Sequence, residues 1–111
     1  MYDFLFIAKA LSDEIGIRIP SFGHAGDGNL HIYLCRDNLD KADFEAKKMR
    51  TFDALYAYAA EIGGFVSGEH GIGYAKRQYL ANQMGGTQMS LMRGIKHVFD
   101  EKGLLNPHKV I

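Results

Sequence analysis

A single cysteine, Cys35, stands among the 111 residues, so no internal disulfide can staple this chain. That excludes the disulfide-framed secreted scaffolds and makes a reducing compartment, the cytoplasm, the expectation. Neither sign of charge is in excess: thirteen Lys and Arg offset thirteen Asp and Glu. A zero balance recruits neither nucleic acid nor an anionic membrane surface. Long apolar runs are missing too, and the longest fall far short of the ~20 residues that span a bilayer. The opening MYDFLFIAKAL has no basic leader and no small-residue cleavage site, so no secretory signal is expected. Proline occurs twice, and there is no Pro/Ser-rich linker, low-complexity tract or internal repeat. One domain of ordinary globular composition suits this length, with roughly two-thirds of the unfolded chain's surface available for burial.

Two common ligand loops are also absent. No G-x-x-x-x-G-K-[ST] occurs, and Gly26-Asp27-Gly28 lacks the third glycine and following helix of a dinucleotide fingerprint. The spaced acids and terminal Glu of an EF-hand are missing as well.

The periodicity that is present reads as α+β. Phe4, Ile7, Ala8, Leu11 and Ile15 recur at helical spacing from Tyr2 to about Ile15, and Gly16 stops that helix. Ile17 to Phe22 alternates as a strand with Pro20 at an edge or bulge, and Asn29 to Cys35 reads as a strong second strand. Between them, Gly23 to Gly28 makes a hairpin loop. A polar turn at Asp37 to Asp40 precedes a long helix from about Lys41 to Ile62, its buried side formed by Phe44, Phe52, Leu55, Tyr56 and Ala59. Gly63-Gly64 ends it. Phe65 to Ser67 is expected as a short third strand. Two helices follow, about Gly73 to Gln83 and Thr87 to Glu101, separated by Gly85-Gly86. Leu91, Met92, Ile95, Val98 and Phe99 form the apolar stripe of the last one, and the tail from Gly103 to Pro107 is extended. The expectation is a small, mainly antiparallel sheet packed with helices. Three strands make a thin sheet, which points to a portion of something larger.

Chemistry concentrates in two glycine-rich loops. His24 leaves the first strand and His31 lies early on the second, so a hairpin brings both imidazoles to one end of the sheet. Glu69-His70, between Gly68 and Gly71, offers a carboxylate beside an imidazole. A lone loop histidine is ordinarily a surface residue. Two around a Gly-Asp-Gly turn, with Glu-His in a second glycine loop, weigh against that bland reading. Two imidazoles and a carboxylate with an open position are a catalytic zinc-like ligand set, which iron or manganese also accept.

The strings FGHAGDGNLH, from Phe22 to His31, and SGEHGIG, from Ser67 to Gly73, resemble the C-terminal signatures of FAD-linked oxidases. That family, within the vanillyl-alcohol oxidase superfamily, includes glycolate oxidase flavoprotein subunits, D-lactate dehydrogenases and D-2-hydroxyglutarate dehydrogenase. The ending Lys102 to Lys109 is similar to the family's closing G-x-x-N-P-x-K segment. The resemblance implies that His24, His31 and Glu69 are metal ligands and that His70 is the general base on a substrate hydroxyl. It implies that Asn106 lies near the flavin. Asp27 and Asn29 are then expected to steady the ligands. It further implies FAD as cofactor, bound mainly by an N-terminal domain absent here, together with a divalent metal, zinc first. The expected reaction oxidises a 2-hydroxy acid to a 2-oxo acid by hydride transfer to flavin N5, with no activity from this chain alone. An FAD-binding domain of the same protein is the implied partner. Electron-transfer partners such as an iron–sulfur subunit would place a cytoplasmic enzyme at the periphery of the inner membrane. Glu69 and His70 take different tasks in this reading because neighbours in an extended segment point opposite ways.

One departure bears on substrate: D-2-hydroxyglutarate enzymes tend to carry Asn two places after the second histidine, where this chain has Tyr33. Glycolate or D-lactate is therefore the expected substrate type. The alternative is a non-catalytic α+β binding or assembly module that keeps the loops, and a metallohydrolase on the same ligands ranks below it. Cys35 reads as a small strand residue, His97 and His108 as surface residues, and Met84, Met89 and Met92 as packing. Lys47, Lys48 and Arg50 read as a solvated helix face. Lys76 and Arg77, just after the second loop, are candidates for an anionic substrate.

Overall fold

A computed structural model describes residues 2–111, with helix α1 (Tyr2–Ile15), strands β1 (Ser21–His24) and β2 (Asn29–Ile32), and helices α2 (Lys41–Glu61) and α3 (Arg77–Phe99). The class is α+β, as expected. Two compact units divide it, Met1–Gly64 and Phe65–Ile111.

In the first unit, α1 and α2 pack antiparallel. The Phe4 and Tyr58 rings sit 5.8 Å apart at one end of the pair, and Glu14 pairs with Arg50 at the other. Ala8, Ile15, Ile17 and Leu55 are buried between these elements. Phe44, Phe52, Tyr56 and Ala59 are half-buried, on the side the helical spacing predicted. Thr51 is fully buried, which the apolar pattern did not reveal. Its hydroxyl donates to the Lys47 carbonyl one turn back at 2.8 Å, so no polar group is left unsatisfied. Burial also pushes the Tyr56 phenol up from its ordinary value.

Local chemistry sets the ends of α2. The Asp40 carboxylate accepts from the Ala42 and Asp43 amides at 2.8 and 3.0 Å, capping the first turn. At the other end Gly63 takes φ +75, a left-handed conformation that costs glycine nothing. The Gly64 amide then reaches the Ala59 carbonyl and the Gly63 amide that of Ala60, the paired closure of a Schellman motif.

Four expectations change. The ladder begins at Ser21, not Ile17, because Pro20 has no N–H to return the bond that its carbonyl accepts from Tyr33. The pairing resumes as a bridge, Arg18 to Cys35, in the same register. Phe65–Ser67 forms no strand, since the Val66 amide donates to the Gln83 side chain instead of to a neighbouring strand. The helix expected from Gly73 starts at Arg77, Gly73 having a left-handed φ of +56. Finally, Leu91, Ile95, Val98 and Phe99 are exposed, with Val98 and Phe99 at 78% and 80%. Buried apolar residues of this unit are Leu80 and Met89. Gly85, at φ 73 and ψ 173, breaks α3 into two arms where the sequence placed a separation.

Candidate functional site

The hairpin decides which side chains meet. β1 and β2 pair antiparallel with Phe22 opposite His31 and His24 opposite Asn29. Alternation along each strand therefore sets Phe22, His24 and His31 on one face, and the continuing register adds Tyr33. The rings confirm that face. His24 and His31 stand 5.7 Å apart edge-on, and Phe22 stacks on His31 and on Tyr33 with 5.3 Å between centroids in each case. Phe22 and Tyr33 remain half exposed, at 58% and 51%, so this aromatic row is an accessible surface.

Gly23 makes the close approach possible. It faces Leu30, and a methyl group at its position would lie 2.1 Å from the Asn29 carbonyl oxygen. No side chain fits there. The loop of Ala25 to Gly28 turns through an Asp27 amide bond to the His24 carbonyl at 3.1 Å, which ties the end of β1 to the turn. Four residues join the strands, a common hairpin length built around such a turn.

Glu69 and His70 belong to the second unit. Their loop bends from Gly68 to His70 and is closed by the Ser67 hydroxyl, which donates to the Gly71 carbonyl at 3.1 Å. Because this backbone is bent and not extended, the two side chains do not diverge. The His70 Nε2 lies 3.8 Å from a Glu69 carboxylate oxygen, and both groups are solvent-accessible. The expectation of opposite-pointing neighbours is corrected on this point.

Asn106 sits on an exposed turn of the tail with φ +46, its carbonyl accepting from the Lys109 amide. What anchors that tail is Asp100, whose side chain is only 6% exposed. It accepts from Lys96 Nζ at 2.7 Å and from the Leu104 and Leu105 amides at 2.8 and 3.0 Å. The Lys96 bond foremost, then the two amides, hold its carboxyl below the ordinary range against the opposing effect of desolvation. Lys96 also donates to the Leu105 carbonyl. Lys76 takes the N-cap position of α3 without a side-chain capping bond, and Arg77 lies 5.9 Å from the centroid of the Tyr74 ring.

Sequence reasoning missed two things here. Phe22 and Tyr33 as ring partners of His31 were readable from strand parity, since i, i+2 residues share a face. Asp100 as tail anchor had a fainter signal, a carboxylate directly after the last turn of a helix.

The family model for the C-terminal domain of FAD linked oxidases matches residues 1–110. The chain belongs to this family. A D-lactate dehydrogenase of Anaerostipes hadrus is 48% identical over 108 residues, which cover 97% of this chain and 23% of that protein. The glycolate oxidase subunit GlcD of Bacillus subtilis is 36% identical, covering 94% of this chain and 23% of its own length. A D-2-hydroxyglutarate dehydrogenase of Xanthomonas citri pv. viticola is 44% identical over 90 residues, 80% of this chain and 19% of that enzyme. The chain thus spans about a quarter or less of the length of these FAD-linked relatives. No helix among the described residues is long and apolar enough to cross a membrane.

Proposed function

We propose that this chain is the metal- and substrate-side domain of an FAD-dependent oxidoreductase that converts a 2-hydroxy acid to a 2-oxo acid. Family membership supports the flavin and the reaction class, and the relatives' names support substrates of the D-lactate, glycolate or D-2-hydroxyglutarate kind. The observation that carries the site is the pairing of two imidazoles, His24 and His31, on one face of a hairpin that glycine alone allows to close.

In this reading His24, His31 and Glu69 hold a divalent metal, with zinc the first candidate and iron or manganese compatible with the same donors. A metal bound there would supply Lewis acidity toward the substrate hydroxyl. His70 accepts the hydroxyl proton at an imidazole nitrogen, the role of a general base. The flavin, held by a separate FAD-binding domain, would supply the hydride acceptor. Asn106 is this chain's residue assigned to the flavin side. Tyr33, stacked on Phe22, stands where D-2-hydroxyglutarate enzymes tend to carry Asn. That favours D-lactate or glycolate over D-2-hydroxyglutarate. The apolar face left exposed on the second arm of α3 supports a docking domain as partner.

Calorimetric zinc titration tests the ligand set. One site is expected, weakened at least tenfold in His24→Ala and in Glu69→Ala, an effect on the order expected for loss of groups that bind or orient a metal. Unaltered binding in both variants would remove the metal assignment. In the FAD-loaded protein, His70→Asn is expected to slow flavin reduction by D-lactate about a hundredfold or more, with zinc binding retained.

A further inference from the structure

A second cleft lies wholly within the second unit and contains none of His24, His31, Glu69, His70 and Asn106. It occupies the inner side of the elbow that Gly85 makes in α3, where the backbone leaves helical geometry at φ 73 and ψ 173. The first arm of the helix contributes Arg77, and the second contributes Met89 and Arg93 one turn apart. Tyr74 closes one side. Val110 and Ile111 close another, held in place by a 2.8 Å bond from the Val110 amide to the Gly73 carbonyl. The open cleft has a volume of about 430 Å³, within the size range of small-molecule sites.

Its chemistry is uneven. Two guanidinium side chains line it and no Asp or Glu side chain does. Among the described residues neither Arg77 nor Arg93 forms an ion pair within the chain, whereas Arg18 and Arg50 each have a carboxylate partner. Lys109 adds a third cation, its Nζ 5.7 Å from the Tyr74 ring centroid, with Arg77 at 5.9 Å from the same ring. Like charges gathered without an acidic side chain among them repel, and an anion between them relieves that cost. Guanidinium groups match the planar fork of a carboxylate in particular. Gln78 adds a neutral polar group, and Met89, Val110 and Ile111 supply an apolar wall, Met89 buried and the other two half-buried. Cationic groups beside an apolar wall describe an amphiphilic anion.

We propose that this cleft binds a small organic carboxylate carrying a short apolar chain, its carboxylate against Arg77 and Arg93 and its chain along Met89, Val110 and Ile111. The assignment stands independently of the proposed metal site.

The test is calorimetric titration of the chain with hexanoate, with 1-hexanol and inorganic phosphate as controls. Saturable hexanoate binding is expected, at least tenfold tighter than either control. It should weaken at least tenfold in the Arg77→Gln, Arg93→Gln double variant and stay unchanged in His24→Ala. The double variant's far-ultraviolet circular dichroism is expected to match the parent, since Arg93 is exposed and Arg77 half-buried. Absence of hexanoate binding, binding that survives the double substitution, or hexanol binding of equal strength would overturn the proposal. Phosphate binding as tight as hexanoate would overturn the amphiphile class.

Discussion

The two units of this chain cover their apolar side chains to different degrees. The first buries Ala8, Ile15, Ile17 and Leu55 around the contact of α1 with α2, and leaves Tyr2, Phe6, Met49 and Ile62 in solvent. The second buries Leu80 and Met89 and leaves Leu91, Ile95, Val98, Phe99, Leu104 and Leu105 in solvent. Both helices of the first unit and the last arm of α3 show helical apolar spacing. Spacing alone therefore says that a face is meant for burial, but not what buries it. For Ala8, Ile15 and Leu55 of the first unit the cover is local. In the second it is not supplied by the described residues.

Substitutions at matched apolar positions are the strongest way to break this comparison. Leu55→Ala, at a 3% exposed site, is expected to cost about 3 kcal/mol from lost burial plus the cavity left behind. Val98→Ala, at a 78% exposed site, should change stability by less than about 0.5 kcal/mol. Urea unfolding of both variants reads the difference, and equal losses would show that the last helical arm is buried in solution.

Next in size is the hairpin. Gly23→Ala places a methyl group 2.1 Å from the Asn29 carbonyl oxygen, so the strands must part. About 2 kcal/mol of destabilisation is expected, as for other overpacked sites. The ring contact between His24 and His31 should loosen with it, visible as altered imidazole proton shifts by NMR. Retained stability and unchanged shifts would show that the strands stand further apart than described.

Smaller still is the cap of α2. Asp40→Ala removes both acceptors at its first turn and should cost about 1 kcal/mol. Thermal unfolding would register that as a lowered midpoint, with Asp40→Asn close to the parent.

The smallest effect belongs to the tail and depends on pH. The Asp100 carboxyl titrates below its ordinary value in the folded chain, so the stabilisation it contributes is complete above the unfolded value near ~4. It is lost as pH falls through the lower, folded value. The Leu104 and Leu105 amide resonances should therefore shift as their acceptor is protonated, at a pH below the ordinary carboxylate range. Asp100→Asn should abolish that titration, and a shift that persists in the variant would assign it to another carboxylate. Asp37, lowered by its hydrogen bond to Arg18, follows the same sign on the first unit.

Much of this architecture was legible without coordinates, where local chemistry decides. Asp40, followed by Phe44 and Leu55 at helical spacing and then Gly63-Gly64, marks the start, face and end of α2. The interval from Gly23 to Gly28 marks the hairpin, and Gly85 marks the break in α3. Legibility failed where the outcome depended on a partner distant in sequence. The Val66 amide was available to a strand until Gln83, seventeen residues on, offered an oxygen. The bend at Glu69 likewise escaped detection, because nothing in Gly-Glu-His-Gly distinguishes an extended loop from a folded one.

By itself, then, the sequence determined the helices, the turn that pairs His24 with His31, and membership in the FAD-linked oxidases, because caps, glycines and periodicity act over a few residues. Only the tertiary structure decided which apolar faces are covered, how Glu69 and His70 lie toward each other, and that Arg77 and Arg93 share one cleft. Those outcomes depend on where the chain returns in space, and spacing along the sequence carries no information about that.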